Sequence, residues 1–80
     1  MDVEVAIERD KDGRLHAYVI ERYENVHGGE LIRKGDDMLS KRVFRYIDNA
    51  CSEAAGRLHS MFKSSIADKL NITFIYPDGR

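Results

Sequence analysis

The chain has no tryptophan, a single cysteine and a single proline in 80 residues. One cysteine, Cys51, excludes an intrachain disulfide. It sits among apolar residues, so it reads as a small buried hydrophobe in a reducing compartment. No apolar run approaches the roughly 18 residues of a membrane span, and the first residues lack the apolar stretch of a signal peptide. The expectation is therefore cytoplasmic, either in the producing cell or in an infected host. A net charge of −1 supplies no bulk attraction to nucleic acid or to an acidic membrane.

Catalytic and metal-binding motifs are equally scarce. There is no CxxC, no HExxH, no pair of histidines four apart and no calcium-loop pattern, so no metal is expected. Gly28-Gly29 lacks the rest of a phosphate-binding loop, and no cofactor is expected. Cys51 and His59 would lie about 12 Å apart along one helix, too far to act as nucleophile and base within one chain. A small enzyme remains as a third reading, with its site built across a dimer interface. The leading expectation is a protein that is not an enzyme.

What the chain does contain is charge, at 34% of residues, unevenly placed. Residues 1–30 hold eight acids and four bases for a net −4, and residues 31–80 carry a net +3. The molecule reads as bipolar, with an acidic edge and a basic end.

Hydrophobic patterning gives the fold. Asp2 to Arg9 alternates, with Val3, Val5 and Ile7 on one side, the mark of a half-buried strand. Asp10-Lys11-Asp12-Gly13 is turn chemistry, and Leu15 to Tyr23 is the returning strand of a hairpin. A type I turn followed by a glycine bulge pairs Asp10 with Arg14. It sets Arg9 opposite Leu15, Ile7 opposite Ala17 and Val5 opposite Val19, which leaves Tyr18 and Ile20 on the outer face. A two-residue Asp12-Gly13 turn would shift the register by one and send Tyr18 and Ile20 into the core. The turn signature favours the bulged form.

Val26 to Gly29 breaks the second strand, and Glu30 to Lys34 reads as a short third strand. Gly35-Asp36-Asp37 has the acids of a helix entry. From there to about Leu70 the apolar phase suggests one long helix. Phe44, Ile47, Cys51, Ala54, Leu58 and Met61 form its seam, and Val43, Ala50, Ala55, Phe62 and Ile66 broaden it. The phase passes through Gly56 without a reset, while Ser65 and Asp68 offer a weak second cap. Asn71 to Tyr76 is apolar on both faces and reads as a central or interface-buried strand beside the first. Pro77-Asp78-Gly79-Arg80 reads as a polar tail.

The predicted architecture is one α+β domain over residues 1–80, with order ββ(β)αβ. An antiparallel sheet has one face covered by the helix. A helix of about 33 residues would measure about 50 Å, longer than a compact 80-residue chain. That overhang predicts a homodimer or another protein partner. Ala54, Ala55, Leu58, Met61 and Phe62 are its candidate seam.

Lys41, Arg42 and Arg45 cluster at the helix entrance, with Lys41 and Arg45 on one helical face. With Tyr18 and Ile20 they are the candidate partner contacts. The expected function is a protein-binding module acting by surface occupancy, as an inhibitor, adaptor or regulatory subunit. Small phage and mobile-element proteins that block host defence complexes share that size and style. The alternative is a sequence-tolerant nucleic-acid binder using the same basic group, with Tyr46 as a stacking ring.

Overall fold

The computed structural model describes residues 1–62 and 69–77. Three antiparallel strands run in sequence, β1 (Asp2–Arg9), β2 (Leu15–Glu24) and β3 (Glu30–Asp37). A helix α1 (Ile47–Phe62) follows, and a last strand β4 (Asn71–Ile75) joins the sheet beside β1. The sheet order is β3-β2-β1-β4. β4 runs parallel to β1, so the sheet is mixed rather than wholly antiparallel. The connection through α1 returns the chain to the same end of the sheet, which forces that direction.

The first hairpin has the predicted register, with Arg9 opposite Leu15, Ile7 opposite Ala17 and Val5 opposite Val19. Asp10 N–H donates to the Arg14 carbonyl at 2.9 Å, and Gly13 adopts φ +82°. Asp10 Oδ1 accepts from the amides of Asp12 and Arg14 at 2.9 and 3.0 Å. The second hairpin repeats this device. Asn25 Oδ1 accepts from His27 and Gly29, both at 2.9 Å, and Gly28 also has φ +82°. An Asx side chain at the first position and glycine at the fourth are what such a turn needs.

The core lies between α1 and the inner sheet face. Val5, Ile7, Leu15 and Ala17 meet Ala50, Ala54 and Leu58, with Leu39 and Phe44 closing one end. Gly56 lies within α1 as its unbroken apolar phase implied.

Other expectations are corrected. The helix starts at Ile47, ten residues after Asp37. The acids Asp36 and Asp37 close β3 instead, and residues 38–46 form a turn and an extended connection. This connection is fixed by tertiary bonds: Met38 N–H donates to Ala17 O, and Leu15 N–H donates to Phe44 O, both at 2.8 Å. Leu39 and Phe44 supply apolar spacing that imitates an upstream helical turn, but they anchor a loop. Sixteen helical residues measure about 24 Å. The molecule extends 39 × 33 × 20 Å, so the described part of the helix does not overhang it. Leu70 is not helical; the expected continuation over 63–68, including Ser65, Ile66 and Asp68, lies outside the described residues, as does 78–80.

The proposed helix seam is also reassigned. Ala54 and Leu58 are fully buried in the molecule's own core, and Phe62 packs against it. Ala55 is half-buried and Met61 is exposed. Finally, β4 is an edge strand rather than a central one. Ile72 and Phe74 turn to the core, while Asn71, Thr73 and Ile75 face outward.

Candidate functional site: the basic end and the open sheet face

The 38–46 connection packs against the tip of the first hairpin, where arginines tie the two together. Arg14 Nη2 donates to Ser40 O at 3.1 Å. Arg9 Nη1 donates to Gly13 O and Arg45 O at 2.9 and 3.2 Å. Arg45 Nη1 donates to Asp12 O at 2.8 Å. These guanidiniums spend donors on backbone carbonyls and keep their charge.

Lys41, Arg42 and Arg45 therefore stand on a loop and not on a helical face. The structure still gathers them at one end, where Arg9, Lys11 and Arg14 of the hairpin add charge. Asp12, Asp48 and Glu53 offset part of it. Arg42 lies over the Phe44 ring at 5.1 Å, and its Nη1 is 3.9 Å from Glu53, which Arg57 holds at 2.9 Å. Val43 and Tyr46 are 59% and 73% exposed beside these cations. A shallow groove of about 620 Å³ runs along Arg42, Val43, Phe44, Arg45, Tyr46 and Asn49.

Tyr18 and Ile20 stand on the open sheet face, as the register required, and both are half-buried. They form a second surface, separate from the basic end. Lys34 Nζ lies 4.9 Å from the centre of the Tyr18 ring and pairs with Glu8 at 3.0 Å. Arg22 grips Glu4 with two bonds, at 2.9 and 3.1 Å, and reaches Glu30 at 2.9 Å. The Arg22 pair holds the Glu4 carboxyl below its usual range. Ion pairs so cover this face that its charges are largely matched internally.

One cluster was not read from the sequence. His16 bridges two carboxylates, Asp37 through Nδ1 at 2.7 Å and Asp10 through Nε2 at 2.8 Å. The bonds to Asp37 and Asp10 raise the imidazole pKa. His16 in turn lowers that of Asp10, helped by the Arg14 and Asp12 amides. Burial pushes Asp37 up, but His16 and the amides of Ala17 and Leu39 outweigh it and hold the carboxyl low. Burial, with Asp37 and Glu8 nearby, raises the Tyr18 phenol. The hairpin register could have found Asp10, because it sets His16 two residues beyond Arg14, on the same face as the Asp10–Arg14 pair. Asp37 was hidden by its assignment to a helix cap.

Two carboxylates around one imidazole make a structural clamp. Both nitrogens are occupied, so neither is available as a base toward a ligand. Among the described residues no group of three or more side chains gathers in a metal-binding arrangement. Cys51 packs against the core, and His59 is exposed on α1. No described helix is long and apolar enough to cross a membrane.

Comparisons with protein-family models, curated proteins and solved structures return no match for this chain.

Proposed function

We propose that this chain is a non-enzymatic protein-binding module that acts by occupying an acidic surface on another protein. The basic end is the contact. The observation that carries this reading is the exposed Val43 and Tyr46 beside Arg42 and Arg45, on a connection held by arginine side chains that donate to backbone carbonyls. Aromatic and arginine side chains contribute most strongly at protein interfaces, and a preordered loop loses less entropy on binding. The roles that fit are inhibitor, adaptor or regulatory subunit.

The test is site-specific photo-crosslinking in the producing cell. A photoreactive residue at position 46 should trap a protein adduct, and one at exposed Glu24 should not. Adding Arg42→Glu should abolish the position-46 adduct while circular dichroism stays unchanged. Arg42 is the right residue to reverse, because Arg45 also braces the hairpin tip. An adduct that survives Arg42→Glu would remove the basic end from the interface.

A second reading is nucleic-acid binding, favoured by the exposed Tyr46 ring beside Lys41, Arg42 and Arg45. Bases stack on such rings, while cations hold phosphates. Binding to single-stranded oligonucleotides would then weaken steeply between low and moderate salt. No binding at low salt would dismiss it.

A further inference from the structure

The two edges of the sheet are unlike. β3 carries Glu30, Arg33, Lys34, Asp36 and Asp37, and its pairing with β2 is interrupted by a register shift between Tyr18 and Ile20. Charges and irregular pairing are how proteins guard an edge from further strands. β4, Asn71-Ile72-Thr73-Phe74-Ile75, has neither a charge nor a proline. Asn71 N–H donates to Met1 O at 2.8 Å, so the amides of Asn71, Thr73 and Ile75 face β1. Those of Ile72 and Phe74 face away from the sheet.

We propose that β4 pairs antiparallel with β4 of a second copy, about a two-fold axis at Thr73. The backbone phase fits, because Ile72 and Phe74 are the residues with outward N–H and C=O groups. Each would exchange two hydrogen bonds with the other residue's counterpart across the axis. The side chains fit too. On the helix side Ile72 meets Phe74 of the second copy. On the open face Thr73 meets Thr73, and Asn71 meets Ile75. The strand is uncharged, so no like charges are opposed, and threonine pairs and apolar pairs stabilise neighbouring strands. The axis is perpendicular to the sheet, so both helices lie on the same face. Among the described residues each helix lies chiefly over its own β2 and β1 rather than over β4. The interface is isologous and produces one continuous sheet from two copies. Five paired residues are few for an interface, so the dimer is concentration-dependent. This inference does not rest on the basic end, which belongs to a different surface.

The test begins with light scattering coupled to size exclusion over roughly 5 μM to 1 mM protein. The expected result is a mass rising from one copy to two. Hydrogen exchange on the unaltered chain locates the contact. The Ile72 and Phe74 amides should gain at least about tenfold protection with concentration, while the outward Ile32 amide of β3 should not. Thr73→Lys should weaken association at least about tenfold, and mixing it with Thr73→Asp should restore a heterodimer. A monomer at every concentration overturns the proposal, as does a dimer whose Ile72 and Phe74 amides exchange freely. If the lysine variant fails to fold, exchange on the unaltered chain still decides.

Discussion

His16 Nδ1 lies 2.7 Å from Asp37 Oδ2, and through that contact one imidazole joins the first hairpin to the end of β3. Asp37 Oδ1 meanwhile accepts from Ala17 N–H at 3.0 Å and Leu39 N–H at 2.9 Å. On its other side His16 reaches Asp10, whose Oδ1 shapes the hairpin turn. The clamp thus holds the segment that delivers Leu39 to the core. Only the imidazolium donates from both nitrogens; neutral histidine would turn a lone pair toward one carboxylate.

This geometry gives stability a two-sided pH dependence. The folded-state pKa of His16 is raised, so its contribution is full below the unfolded value of about 6.5 and is lost as pH rises through the folded value. The pKa values of Asp10 and Asp37 are lowered, so their contributions are present above the unfolded value near 4 and are lost as pH falls. Stability should therefore be greatest from about pH 5 to 6.5 and decline on both sides. His16→Gln should cost roughly 2 kcal/mol near pH 6 and flatten the alkaline limb. Urea unfolding across pH checks both, and an unchanged alkaline limb in the variant would show that His16 does not clamp.

Two glycines should respond in opposite directions to alanine. A Cβ at Gly56 meets nothing within 4 Å, and the residue is exposed within α1. Gly56→Ala should stabilise by about 0.5–1 kcal/mol through helix propensity. At Gly13, φ is +82° and the Cβ would come 3.3 Å from Arg45 Nη1. Gly13→Ala should destabilise by about 1–2 kcal/mol. Thermal melts of the two variants, shifted in opposite senses, are the expected result.

The contact prediction separates two arginines that are three residues apart in sequence. Arg42→Glu removes a cation from the groove at little structural cost, since its Nη1 is 3.9 Å from Glu53 and the side chain is exposed. Arg45→Glu removes the bond to Asp12 O and should also destabilise the fold by roughly 1 kcal/mol. A binding assay alone would not distinguish them. Unfolding measured alongside it should show a loss for Arg45→Glu and almost none, within about 0.5 kcal/mol, for Arg42→Glu.

The hairpin, its register and its outward Tyr18 and Ile20 were legible because local turn chemistry fixes strand pairing. Alternation placed Val3, Val5 and Ile7 inward for the same reason. The second hairpin was only half legible: the Gly28-Gly29 break was read, but Asn25 was not read as the counterpart of Asp10. The helix start was lost because periodicity counts apolar residues without knowing what holds them. Leu39 and Phe44 are buried beside the bonds from Met38 N–H to Ala17 O and from Leu15 N–H to Phe44 O, which join segments distant in sequence. The direction of β4 was hidden similarly, since a parallel pair depends on where the crossover lands. At the basic end, composition identified Lys41, Arg42 and Arg45, while the bracing by Arg9 and Arg14 required the tertiary fold.

The later start of the helix makes its own prediction about where stability resides. Leu39 lies outside α1 and has no solvent exposure. Leu39→Ala should cost about 2–5 kcal/mol, the range for truncating a buried leucine. Met61 belonged to the candidate partner seam, and it is 66% exposed on this chain. Met61→Ala should cost less than about 0.5 kcal/mol, because a largely exposed side chain loses little burial and alanine favours the helix. Chemical denaturation of both variants at the same low protein concentration gives the comparison. A large loss at Met61 together with a small one at Leu39 would restore the long helix and displace the loop from the core.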